Sequence, residues 1–150
     1  MPDPKTLVGY CGLYCGACGI YQGAFKERVE QLRSIIKRYG FDKIMPELAK
    51  WEPAFKHYKE FEDVLEGLVK MFGSCPGCLE DGGDPDCKVR ACAKQKGYNT
   101  CAECSEAFTC EKLKPYLNQE MLERIREIGV VSWAEEMSKK VKAGFSYLEE

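Results

Sequence analysis

The placement of cysteine constrains this chain more than any other feature. Ten cysteines fall into two groups, Cys11, Cys15 and Cys18 near the start and Cys75, Cys78, Cys87, Cys92, Cys101, Cys104 and Cys110 later on. The stretch between the groups has none, and neither has the stretch after Cys110. A chain of 150 residues, 45% of them hydrophobic, can bury an ordinary core without covalent staples. The opening Met1–Val8 carries no apolar stretch long enough for a leader, and no run approaches the roughly 20 apolar residues of a membrane span. The expected location is therefore the cytoplasm, where thiols are kept reduced. Thiols in this number and setting point to metal ligation before disulfides.

The spacing supports that reading. The second group runs C-x2-C-x8-C-x4-C-x8-C-x2-C-x5-C. Its two close pairs, Cys75-Pro76-Gly77-Cys78 and Cys101-Ala102-Glu103-Cys104, have the spacing of zinc knuckles. Two intervening residues let a tight turn bring both sulfurs to one ion, about 3.7 Å apart in a tetrahedral site. Pro76 and Gly77 suit such a turn. The first group reads C-x3-C-x2-C, positions that would share one face of a helix. Similar spacing occurs in the cluster loop of radical S-adenosylmethionine enzymes. The chain is short for their barrel, however, and the motif is followed by helical patterns.

All ten cysteines are thus candidate metal ligands: Cys11, Cys15, Cys18, Cys75, Cys78, Cys87, Cys92, Cys101, Cys104 and Cys110. The expected cofactor is Zn²⁺. An iron–sulfur cluster is the alternative, because clusters are also held by thiolates and spacing does not separate the two. The preferred division is two mononuclear sites. One takes four of Cys75, Cys78, Cys87, Cys92, Cys101 and Cys104; the other takes three or more of Cys11, Cys15, Cys18 and Cys110.

The cysteine-free parts read as helix. Phe25, Val29, Leu32, Ile36 and Tyr39 recur at helical spacing, with Gly40 as a stop. A short helix interrupted by Pro46 is expected over 42–51. A further helix starts near Pro53 and carries Phe55, Tyr58, Phe61, Leu65, Leu68, Val69 and Phe72 to Gly73. Asn118 is a candidate cap for a helix ending at Gly129, and Ser132 to Glu135 has the form of a capping box opening a last helix. No alternation of period two suggests a sheet. The expected fold is mainly α, a single domain over 1–150. Its helices pack around an irregular, cysteine-rich, metal-binding lobe at about 73–110, joined by the N-terminal cysteine segment 9–21.

Charge is close to balanced, with 22 basic and 24 acidic residues. Nucleic acid is therefore disfavoured as a partner; the partner is otherwise open, with another protein as one candidate. His57 is the only histidine and sits among helical residues far from any cysteine, so a surface position is expected. A multi-histidine catalytic zinc site is excluded, and an all-thiolate site is normally structural.

The quoted pairs, with Cys11-Gly-Leu-Tyr-Cys-Gly-Ala-Cys18, Cys87-Lys-Val-Arg-Ala-Cys92 and Cys104-Ser-Glu-Ala-Phe-Thr-Cys110, resemble the cysteine-rich domain-of-unknown-function family 3795 over about residues 9–117. That resemblance implies a small bacterial or archaeal zinc-binding protein with no assigned activity. It also implies that all ten cysteines are ligands. The combined expectation is a non-catalytic protein, structural zinc holding an interaction or regulatory module. The competing class is an iron–sulfur or thiol redox protein.

Overall fold

The computed structural model describes residues 3–116 and 118–148. These carry five α-helices: α1 (Ala24–Arg38), α2 (Phe41–Leu48), α3 (Tyr58–Phe72), α4 (Lys88–Lys96) and α5 (Gln119–Lys142). Short 3-10 turns connect them, and the described residues contain a single isolated β-bridge, Val8 with Tyr14. The mainly α expectation holds. The chain divides into two compact units, Gly23–Ser74 and the pair of segments Met1–Gln22 and Cys75–Glu150.

The Gly23–Ser74 unit contains α1, α2 and α3. Helix α2 keeps Pro46 inside it, and a 3-10 turn over Pro53–His57 leads into α3. The helical periodicity was legible, but the burial it implies is only partly realised. Val29 and Ile36 of α1 and Leu65 of α3 are buried, whereas Leu32, Tyr39 and Phe61 are exposed. Three helices in a unit this small have too little interior to cover every apolar side chain. Arg33 Nε pairs with Glu62 Oε2 at 3.3 Å and links α1 to α3. His57 is exposed, as expected, with Nδ1 4.0 Å from Glu60 Oε1.

The other unit is built on α5. Asn118 caps it, its Oδ1 accepting from the Met121 N–H at 2.9 Å. Gly129, at φ 81° and ψ 157°, breaks the helix into two segments. That backbone region is almost closed to residues with a Cβ, so glycine is what allows the break. The second segment restarts at once, which leaves Ser132 inside the helix rather than at its cap. Leu122, Ile125, Trp133, Ala134 and Met137 of α5 form the core with Val8, Tyr14, Ala17 and Leu113.

The N-terminal segment is fastened to α5 and to the chain that follows it. The Trp133 indole Nε1 donates to the Gly12 carbonyl at 3.3 Å. The Tyr14 N–H donates to the Tyr147 hydroxyl at 3.2 Å, and the Tyr147 N–H donates to the Ala17 carbonyl at 3.0 Å. The block expected to be irregular contains a regular helix, α4. Its buried Arg90 gathers the preceding turn, donating to the Gly82 and Asp84 carbonyls at 2.7 Å each and pairing with Asp81 at 3.3 Å.

Candidate metal centre

Four cysteines of the second group line one cavity of about 260 Å³: Cys92, Cys101, Cys104 and Cys110. Three elements bring them there. Helix α4 supplies Cys92 and, one turn later, Lys96, which also lines the cavity. A 3-10 turn over Cys101–Glu103 supplies Cys101 and Cys104, closed by the Cys104 N–H donating to the Cys101 carbonyl at 3.0 Å. Thr100 caps that turn through Oγ1, which accepts from the Ala102 N–H at 3.2 Å. A second turn over Ala107–Thr109 ends at Cys110.

Helix α5 braces the Cys101–Cys104 turn from behind. Arg126 Nε donates to the Ala102 carbonyl at 2.7 Å, and Nη2 donates to the Cys104 carbonyl at 2.6 Å. Its guanidinium lies 4.4 Å from the Phe108 ring centroid, a stacking distance. The Cys101 N–H donates to the Tyr10 carbonyl at 2.7 Å and joins the turn to the N-terminal segment.

Burial, followed by the neighbouring sulfurs of Cys11, Cys110, Cys104 and Cys92, pushes the Cys101 thiol up to about 12. The sulfurs of Cys104 and Cys92 in turn push the Lys96 ammonium above its ordinary value. Clustered thiols resist ionisation together because each thiolate raises the cost of the next. A bound divalent ion removes that cost, since metal ligation takes the deprotonated sulfur.

The first group reaches both knuckles: Cys11 acts on Cys101, and Cys15 meets Cys78. The Cys78 N–H donates to Cys15 Sγ at 3.3 Å. The Cys78 thiol also hydrogen-bonds to that sulfur, which holds Cys15 down at about 7 and pushes Cys78 well above the thiol range. Cys11 and Cys75 add their charge to the surroundings of Cys78. Burial pushes the Cys11 thiol up, with smaller contributions from Cys87 and Cys15. Cys11, Cys78 and Cys87 line a second cavity of about 130 Å³ with Tyr10 and Arg90. Cys87 caps α4, its Sγ accepting from the Arg90 N–H at 3.5 Å. Cys18 is half-buried and ends the 3-10 turn over Cys15–Ala17.

Two expectations are corrected by this placement. The C-x3-C-x2-C stretch is not a helix, because Gly12 at φ 93° turns the chain between Cys11 and Cys15. Cys110 joins Cys92, Cys101 and Cys104 rather than the first group. Cys78 of the first knuckle stands against Cys15, whereas Cys101 and Cys104 of the second line the other cavity. Sequence spacing missed these pairings because they are made by tertiary contacts of α4, α5 and the N-terminal segment. It also missed Arg126, whose role depends on a distant helix. Lys96 was within reach, since it stands four residues after Cys92 on one helical face.

Among the described residues, no three His, Cys, Asp or Glu side chains form a group that could hold a metal ion as they stand. The donor chemistry of the larger cavity nevertheless suits a thiophilic metal: four thiols from three elements and one neighbouring ammonium. A family model described as protein of unknown function DUF3795 matches residues 7–115, a span that contains all ten cysteines. The chain belongs to this family. The DUF3795 match ends before α5, so Arg126 and its brace lie beyond the matched span. No curated protein and no solved structure matches the chain.

Proposed function

We propose that this chain is a zinc-binding protein whose metal is architectural. Cys92, Cys101, Cys104 and Cys110 would hold one ion as thiolates, with a site charge of about -2 before the Lys96 ammonium is counted. The supporting observation is the single cavity lined by these four sulfurs, which come from separate elements and have one turn braced by Arg126. A zinc ion with four thiolates has no open position for substrate or water, so it stabilises a fold rather than activating a nucleophile. The same ion would lock α4, the Cys101–Cys104 turn and Cys110 together. This role suits a helical interaction or regulatory module.

An iron–sulfur centre is the second reading, and one observation favours it. A cavity of about 260 Å³ is larger than a single tetrahedral ion requires. Thiolates hold such clusters with the same residue type.

Zinc, iron and acid-labile sulfide measured on protein purified without oxygen separate these readings. Stoichiometric zinc without sulfide supports architectural zinc. Stoichiometric iron with sulfide replaces it with the cluster. Protein that is folded and free of both metals overturns the proposal.

A further inference from the structure

The link Cys15-Gly16-Ala17-Cys18 has the same local form as Cys101-Ala102-Glu103-Cys104. Each is a 3-10 turn whose last cysteine N–H donates to the carbonyl of the first, at 2.9 Å and 3.0 Å respectively. The closing residues match as well, with Cys18 at φ -78° and ψ 126° and Cys104 at φ -85° and ψ 125°. The N-terminal segment thus contains a third C-x2-C turn. Its first sulfur already meets Cys78, 63 positions away in sequence. Cys75 stands three positions before Cys78 on a link that bends at Gly77, φ 103°.

Packing leaves room for sulfur at this meeting point. A Cβ added at Gly82 would lie 2.7 Å from Cys75 Sγ, so a glycine there makes space for that sulfur. A Cβ at Gly9 would lie 3.4 Å from Cys78 Sγ.

We infer that Cys15, Cys18, Cys75 and Cys78 form a second thiolate centre, separate from the first and suited to one divalent thiophilic ion such as zinc. The inference rests on reading these thiols as metal ligands. Binding would release the ligand thiol protons to solvent and leave four thiolates on the ion. The centre would tie the N-terminal segment to the Cys75–Cys78 link, as the first centre ties α4 to the Cys101–Cys104 turn. Eight of the ten cysteines would then be ligands, and Cys11 and Cys87, which line the smaller cavity beside Cys78, would remain thiols.

Native mass spectrometry of the full chain, with zinc as the added metal, tests the division. Wild type should carry two ions. Cys15→Ser and Cys78→Ser should each carry one, and the double variant should still carry one. Cys104→Ser should also carry one, and Cys15→Ser/Cys104→Ser none. Cys11→Ser should keep both. If Cys15→Ser reduces expression, Cys75→Ser gives the same readout from the other turn. Retention of two ions by the Cys15, Cys75 and Cys78 variants would overturn the inference while leaving the first centre in place, and loss of an ion from Cys11→Ser would do the same. A wild type that binds no metal would remove both centres.

Discussion

Arg126 donates to the main-chain carbonyl of Cys104 at 2.6 Å while its Nε donates to that of Ala102 at 2.7 Å. One guanidinium therefore fixes the middle and the end of a turn that presents two candidate ligands. Residues that orient ligands in this way typically change metal affinity about 10–100-fold when removed. Arg126→Ala should weaken zinc binding by that order in competition with a chromophoric chelator. Arg126→Lys should recover little of the loss, because a single ammonium cannot reproduce the planar fork across two carbonyls. Unchanged affinity in both variants would mean that the turn holds its shape unaided.

The contact between Gly12 and Leu122 sets a second expectation. Gly12 sits at φ 93°, and a Cβ there would come within 2.9 Å of Leu122 Cδ2. Leu122 is completely buried. Gly12→Ala combines backbone strain of about 1–3 kcal/mol with a clash against a side chain that has nowhere to move. Leu122→Ala should cost about 2–5 kcal/mol through lost burial and the cavity left behind. Both should lower the thermal midpoint, by roughly 2–4 °C for each kcal/mol in a chain of this size. A midpoint within a degree of wild type for Gly12→Ala would show that the N-terminal segment yields more easily than its tethers suggest.

The break in α5 carries an ion pair with a pH signature. Arg124, before Gly129, donates from Nη2 to Glu136 Oε1 at 2.6 Å, after it. The guanidinium holds the Glu136 carboxyl below its ordinary value of 4.5. A folded-state value below the unfolded one adds stability above the unfolded pKa, and that addition is lost as pH falls through the folded value. The midpoint difference between wild type and Glu136→Gln should therefore be fully present near pH 6 and shrink below about 4.5. Because both groups remain substantially exposed to solvent, added salt should also reduce it. Acid loss of metal would affect both proteins alike and cancels in the difference. A gap that is constant from pH 6 to pH 3 would rule out the charge as its source.

Local chemistry was legible in the sequence, whereas pairing across the chain was not. Asn118 read as a cap because a short side-chain acceptor before an apolar helical pattern has one obvious donor to reach. Gly129 read as a break because glycine tolerates the required backbone, although Val130 resumes the helix sooner than the Ser132 signal suggested. The Cys101–Cys104 knuckle was visible from its spacing. Cys15–Cys18, with the same spacing, was obscured by Cys11, which made the three positions look like one helical face. Which thiols meet depends on where α4 and α5 carry them, and spacing along a chain holds no record of that. Cys110 lies only six positions after Cys104, yet its choice between the two groups is made by the turn Ala107–Thr109.

The strongest consequence of architectural zinc is regional. Metal-binding energy at a structural site is part of the folding energy, because the unfolded chain does not present the ligands together. All candidate ligands lie in residues 11–18 and 75–110, and Gly23–Ser74 contains no cysteine. Chelation should therefore raise amide exchange and protease cleavage across 75–110, where turns rather than long helices carry most of the backbone. The helices of Gly23–Ser74 should keep their protection, since α1 and α3 are held by their own packing and by Arg33 with Glu62. Helix α5 should respond in between, losing the Arg126 contacts to the loosened turn while its Leu122–Met137 face stays covered. Exchange mass spectrometry before and after chelation reads all three regions in one experiment. Equal loosening everywhere would indicate global unfolding rather than a local metal role. No change over 75–110 would mean that the thiols do not hold this part of the fold together through metal.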